Sequence, residues 1–177
     1  MLSYLRFFGT HGLGLGAARG FVAGGSWYWS GLALGFLIWV GGDALSSAEE
    51  ASGRRYKLPC VLDCALYSLF PSLVVMVVAF AWALAPGDLF GVGEIANPWF
   101  GHDIFDAKSS ANLLDYVGAC LSFGLAMAMG GILTAHELGH RTGDRIAMWT
   151  ARWMLAMAFN ATLEVAHVFG HHRDVGT

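Results

Sequence analysis

Residues 134–177 read TAHELGHRTGDRIAMWTARWMLAMAFNATLEVAHVFGHHRDVGT, and they hold five of the seven histidines of the chain: His136, His140, His167, His171 and His172. His136 and His140 are four apart, so on a helix both rings leave the same face one turn apart. His167 and His171 repeat the spacing, and His172 projects about 100° from His171. A lone histidine on an apolar face is usually a core residue. Two such clusters in one apolar tail are a donor set for iron, zinc or copper, all of which accept neutral imidazole. The stretch therefore reads as helical, and as a metal site or most of one.

Working outward, 56% of the 177 residues are hydrophobic and 13% are charged, with a mean hydropathy of +0.54. Soluble domains carry about 25% charged residues, so the composition is that of a membrane protein. The net charge of −3 and the lack of a basic patch exclude nucleic acid as a partner. Three cysteines, Cys60, Cys64 and Cys120, make no disulfide framework. No small-residue cleavage site follows the apolar N-terminal run, so no removable signal peptide is expected.

Residues 2–25 are apolar but broken by seven glycines and by Arg6, His11 and Arg19. They read as a poorly packed first span or an interfacial helix. Spans are expected over 27–45, opened by Trp27, Tyr28 and Trp29 as an aromatic belt, over 61–85 with a kink at Pro71, and over 111–135 with many small residues for close helix contact. The loop 46–59 carries Arg54, Arg55 and Lys57, whereas 86–110 carries only Lys108. Basic residues mark the cytoplasmic side. Arg141 and Arg145 follow the 111–135 span, so span counting and charge both put the HELGH segment at a cytoplasmic helix end. The two clusters can meet only if 146–168 does not cross, since a crossing would part them by about 30 Å. That segment is expected to be re-entrant, bent or interfacial. The fold expected is an all-α polytopic membrane bundle of three to four spans plus this histidine-bearing helix, in a single domain and located in the bacterial inner membrane.

HExxH on a helix is also the zinc motif of metalloproteases, with the glutamate as general base. The longer metzincin pattern wants a histidine where Ile146 stands. Five imidazoles exceed what one four-coordinate zinc accepts, and a dinuclear iron centre accommodates them. Glu137 points about 100° from His136, so it is the catalytic candidate, handling a proton or orienting a ring rather than binding metal.

HELGHR at 136–141 and HVFGHHRDVGT at 167–177 resemble the first two histidine boxes, HExGHK and EHxxGHHxxVAT, of the integral-membrane alkane 1-monooxygenases and xylene monooxygenase. These belong to the membrane fatty acid desaturase superfamily. GGDAL at 41–45 also fits that family. The resemblance implies that His136, His140, His167, His171 and His172 bind two non-haem iron ions that activate O₂ and hydroxylate a terminal C–H bond. The substrate would be a hydrocarbon dissolved in the bilayer, and electrons would come from rubredoxin or a similar iron–sulfur donor. Phe123, Met127, Met129 and Trp149 are candidates to line the substrate route, though taken one by one each reads more readily as packing than as pocket. Ala166 stands where the family has glutamate, and the family's later histidine segments are absent. The chain is thus expected to be the N-terminal half of a longer hydroxylase, inactive alone. A lipid desaturase, an intramembrane zinc protease, and an inert or accessory membrane subunit are the alternatives.

Overall fold

The computed structural model describes residues 6–45 and 57–163, and within them every regular element is helical. A 3₁₀ turn at Arg6–Phe8 leads into α1 (Gly9–Ala23), and a second at Gly25–Trp29 leads into α2 (Ser30–Leu45). Then come α3 (Pro59–Leu84), α4 (Val92–Ala96), α5 (Ile104–Ser109), α6 (Leu113–Ala126), a π-helical segment Met127–Ile132, α7 (Leu133–Gly139) and α8 (Arg145–Met157).

Among the described residues, two helices are long and apolar enough to cross a membrane. One is α3, of 26 residues, and the other is the continuous 27-residue run Leu113–Gly139 formed by α6, the π segment and α7. At 1.5 Å per residue they measure about 39 and 40 Å, against a hydrocarbon core of about 30 Å. They match the expected spans at 61–85 and 111–135, and they point to a membrane location. Pro71 lies inside α3 without ending it. Asn112 starts the second run with a reciprocal cap: its side chain accepts from the amides of Leu114 and Asp115, at 2.8 and 3.3 Å. The Asp115 carboxylate accepts from the Asn112 amide at 2.9 Å. The expected span at 27–45 is divided, with its aromatic opening in the 3₁₀ turn and only 16 residues in α2.

The largest departure from the sequence reading is α1. It packs against α2, α3 and α6, and Leu13, Ala17, Ala18 and Phe21 are buried in the core with Leu69, Leu73 and Met76 of α3. It is the centre of the bundle, neither loosely packed nor interfacial. The glycines that look like helix breakers are contact points instead. A Cβ on Gly20 would stand 2.5 Å from the Trp27 carbonyl oxygen, and one on Gly31 would stand 2.7 Å from Ser122 Cβ and 2.9 Å from Ala17 Cβ. Only glycine admits such backbone approach, which is how helices associate where apolar solvent gives no hydrophobic drive. Ser122 completes the junction, accepting from the Leu32 amide at 2.9 Å and donating to the Tyr28 carbonyl at 2.8 Å.

Residues 86–110, expected as a loop, hold α4, α5 and two short 3₁₀ turns. Asp88 organises them by accepting from Trp82 Nε1 at 2.7 Å and from the amides of Gly93 and Glu94 at 2.6 and 3.0 Å. Lys108 lies over the Trp82 ring and donates to the Gly87 carbonyl at 2.7 Å. Phe90, Ile95 and Trp99 are left outside, each more than 70% exposed. Aromatic and aliphatic side chains presented this way suit the headgroup region of a bilayer better than open water.

Candidate metal centre

The π segment leads directly into α7. It ends with the Leu133 amide donating to the Ala128 carbonyl five residues back, and π turns of this kind are frequent at functional sites. Ala135, Leu138 and Gly139 face the core, which leaves His136, Glu137 and His140 on the outer sectors of the helix. His136 Nε2 and His140 Nε2 are 3.3 Å apart, and the two rings meet edge to face with centroids 4.6 Å apart. Two imidazole nitrogens each about 2.0–2.1 Å from one metal stand about 2.9 Å apart at a right angle and about 3.4 Å at the tetrahedral angle. The observed separation lies inside that interval, so the distance between the two nitrogens is compatible with a shared ion.

Glu137 turns away from this pair. With Thr134 and Arg141 it lines a separate cavity of about 280 Å³, closed by Phe7, Thr10 and Leu62. Beyond it, the chain end of α7 is pinned to the first turns of α3. Arg141 Nη1 meets Asp63 Oδ1 at 2.7 Å, and the Tyr67 hydroxyl donates to Asp144 Oδ2 at 3.0 Å. Asp63 and Tyr67 are four apart, so both act from one face of α3. The other Asp144 oxygen caps α8, accepting from the amides of Ile146 and Ala147 at 2.9 and 3.2 Å. The Ala147 amide, then the Tyr67 hydroxyl and the Ile146 amide, hold the Asp144 carboxyl below its ordinary pKa. The bond to Asp63 raises the Arg141 guanidinium above its own. Asp63 and Tyr67 are contacts to the turn after the motif that the sequence reading missed. The available signal was a carboxylate at the start of an otherwise apolar helix.

After Asp144, among the described residues, the chain forms one short helix. α8 has 13 residues, about 20 Å, and it stops at a turn where Phe159 takes a φ of 55°. Ala147, Thr150, Ala151, Met154 and Leu155 bury one face against the bundle, while Ile146, Trp149 and Trp153 form an exposed apolar stripe on another. A helix with both faces apolar and Arg145 and Arg152 between them is suited to the membrane surface.

His167, His171 and His172, and Ala166 beside them, lie outside the described residues. Among the described residues no group of three or more His, Cys, Asp or Glu side chains is placed to hold a metal. The other two histidines have their own partners: His11 Nε2 is 2.9 Å from Ser68 Oγ, and His102 Nε2 is 2.8 Å from the Ala23 carbonyl. Of the candidate lining residues, Phe123 stacks on Phe80 at 4.3 Å, Met127 is buried and Trp149 meets Phe70 edge-on. Met129 lines a lateral cavity of about 570 Å³ shared with Leu125 and with Trp29, Phe36 and Trp39. No family model, curated protein or solved structure matches the chain.

Proposed function

We propose that the chain belongs to an O₂-dependent, non-haem di-iron membrane hydroxylase that acts on the terminal C–H bond of alkanes or related hydrocarbons. The observation that carries this reading is the His136–His140 pair. Its two nitrogens converge to 3.3 Å at the end of an apolar helix run, in a chain with three further histidines at box spacing. His136 and His140 would hold iron through Nε2, joined by His167, His171 and His172. Bound there, the two ions would supply O₂ activation and oxygen insertion, with electrons from rubredoxin or a similar iron–sulfur protein on the cytoplasmic face.

The chain's own part is positional. Asp63 and Tyr67 hold the turn after α7, so the two rings keep their separation. Glu137, in its own cavity beside Arg141 and turned from the rings, would handle protons without binding the metal. The apolar cavity at Met129 gives a hydrocarbon a dry lateral entry, which excludes water from the side on which a C–H bond would be presented.

The test is metal analysis of the whole protein purified from membranes, paired with conversion of octane to 1-octanol in cells that co-express the electron donors. Two irons per chain, lost in His136→Ala and His140→Ala, and alcohol formation from the full reading frame support the assignment. A single zinc retained through purification, with cleavage of membrane peptides, would assign the motif to a protease instead.

A further inference from the structure

At the opposite end of the bundle, α1, the Gly25–Trp29 turn, α2 and the 100–102 loop surround a cavity of about 600 Å³. That size is typical of a ligand site, roughly 300–1,000 Å³. Its walls are Trp27, Trp29, Ala33, Leu34 and Leu37, and no carboxylate lines it. The cavity at Met129 borders it at Trp29 and Ala33 but lies on the other face of α2, along Leu32, Phe36 and Trp39. The first cavity is thus a groove between α1 and α2, with Ser30, Ala33, Leu34 and Leu37 on one face of α2 and its apolar wall open, Leu37 being 64% exposed.

One cation stands at the head of this groove. Arg19 lies over the Phe100 ring at 4.7 Å and has no carboxylate partner among the described residues. A guanidinium stacked on an aromatic face keeps its in-plane N–H donors, which match phosphate or carboxylate oxygens two at a time. Lys108, at the same end, already donates to the Gly87 carbonyl. An occupant of this groove therefore needs an anionic head at Arg19 and a long flexible apolar tail along α2. A free inorganic anion would use the arginine and leave the groove empty. A neutral hydrocarbon would use the groove and leave the arginine unanswered.

We propose that this groove is a binding site for one anionic phospholipid, with its phosphate on Arg19 and an acyl chain laid along Ala33, Leu34 and Leu37. The assignment rests on the membrane reading above and not on the di-iron chemistry, whose histidines lie at the other end of the Leu113–Gly139 run. The lipid would close the lateral opening between α1 and α2 and so tie the central helix to its neighbour.

The experiment is native mass spectrometry of the full chain released from detergent, titrated with phosphatidylglycerol, phosphatidylcholine or inorganic phosphate. Phosphatidylglycerol is expected to bind one per chain and more tightly than phosphatidylcholine. Arg19→Gln is expected to weaken phosphatidylglycerol about ten-fold, the loss typical of one charge-assisted pair, and to abolish the headgroup preference. Ala33→Trp, which fills the groove from α2, is expected to weaken both lipids while leaving the helical circular dichroism intact. Equal binding of the two lipids by the parent, no response to Arg19→Gln, or competition by inorganic phosphate alone would overturn the site. Carbonate extraction of cell membranes separates this from failure of the membrane reading. A chain washed off by carbonate refutes that reading, whereas a carbonate-resistant chain without headgroup preference refutes only the lipid site.

Discussion

Replacing Gly31 with alanine tests whether close helix contact, rather than helix propensity, governs this bundle. The new Cβ would lie 2.7 Å from Ser122 Cβ and 2.9 Å from Ala17 Cβ, so α1, α2 or α6 must move. Overpacking of this kind costs about 1–3 kcal/mol. The same movement strains the two Ser122 bonds, to the Leu32 amide and the Tyr28 carbonyl, worth about 0.5–1.5 kcal/mol each. Against this, alanine gains about 1 kcal/mol over glycine in a helix interior. The net loss is about 2 kcal/mol, or a midpoint lowered by about 4–8 °C for a chain of this size. Gly12→Ala is the matched control, because a Cβ there meets nothing within 4 Å. It is expected to leave the midpoint unchanged or raise it. Thermal unfolding of both variants in the same detergent, followed by circular dichroism, reads the difference. A Gly31→Ala midpoint equal to that of Gly12→Ala would refute the close-contact reasoning.

Deleting Ala128 should convert the π segment to regular helix while keeping the His136–His140 face in register, because a π turn holds about one residue more than the α turns around it. Binding of cobalt by the histidine pair should survive the deletion and be lost when an alanine is inserted after Leu125; equal loss in both would show that the π segment itself shapes the site. Asp144 has a depressed carboxyl pKa in the folded chain, so its contribution is complete above the ordinary value of about 3.9 and disappears as pH falls through the lower folded value. Hydrogen exchange at the Ile146 and Ala147 amides, corrected for intrinsic rates, should therefore accelerate only in that acid range, and Asp144→Asn should flatten the dependence. Asp63→Asn is expected to loosen the turn after α7 and to lower metal affinity without removing a ligand; unchanged affinity would show that the Arg141 contact is not what positions the rings.

The two long helices were legible because their signal is collective: twenty or more apolar residues bounded by polar loops survive any single local exception. Pro71 inside α3 illustrates this. The role of α1 was not legible, because a glycine reads the same whether it weakens a helix or lets a neighbour approach. Gly12, Gly16, Gly20 and Gly24 recur every fourth residue, which places them along one side of α1, yet the sequence does not say which helix comes to that side. Ser122 and Gly31 are ninety-one positions apart, and their contact exists only after α2 and α6 have folded beside each other. The division of 27–45 has a similar origin, since the Gly20 approach to the Trp27 carbonyl holds the aromatic residues in a 3₁₀ turn.

At the candidate site, the i, i+4 spacing was sufficient to bring His136 and His140 to one face, because that follows from helix geometry alone. Which way the face points was not available from spacing. It depends on the π segment, where an added residue per turn rotates everything downstream by about 100° relative to an uninterrupted helix. Gly130 and Gly131 sit in that segment, and Gly131 has Met127 Sδ at 3.1 Å from where its Cβ would be. The same rotation places Leu138 and Ala135 in the core and sends Glu137 toward Thr134 and Arg141. Asp63 and Tyr67 then hold the result in place from α3. A carboxylate and a phenol within an apolar helix are costly in a membrane unless paired, and both are paired here to the turn that follows the motif. The pairing joins the His136–His140 helix to the bundle through polar contacts at one end and a packed π turn at the other. A rigid attachment at both ends of seven residues is what a metal-binding pair requires, since ligand atoms displaced by more than roughly 0.5 Å no longer share an ion.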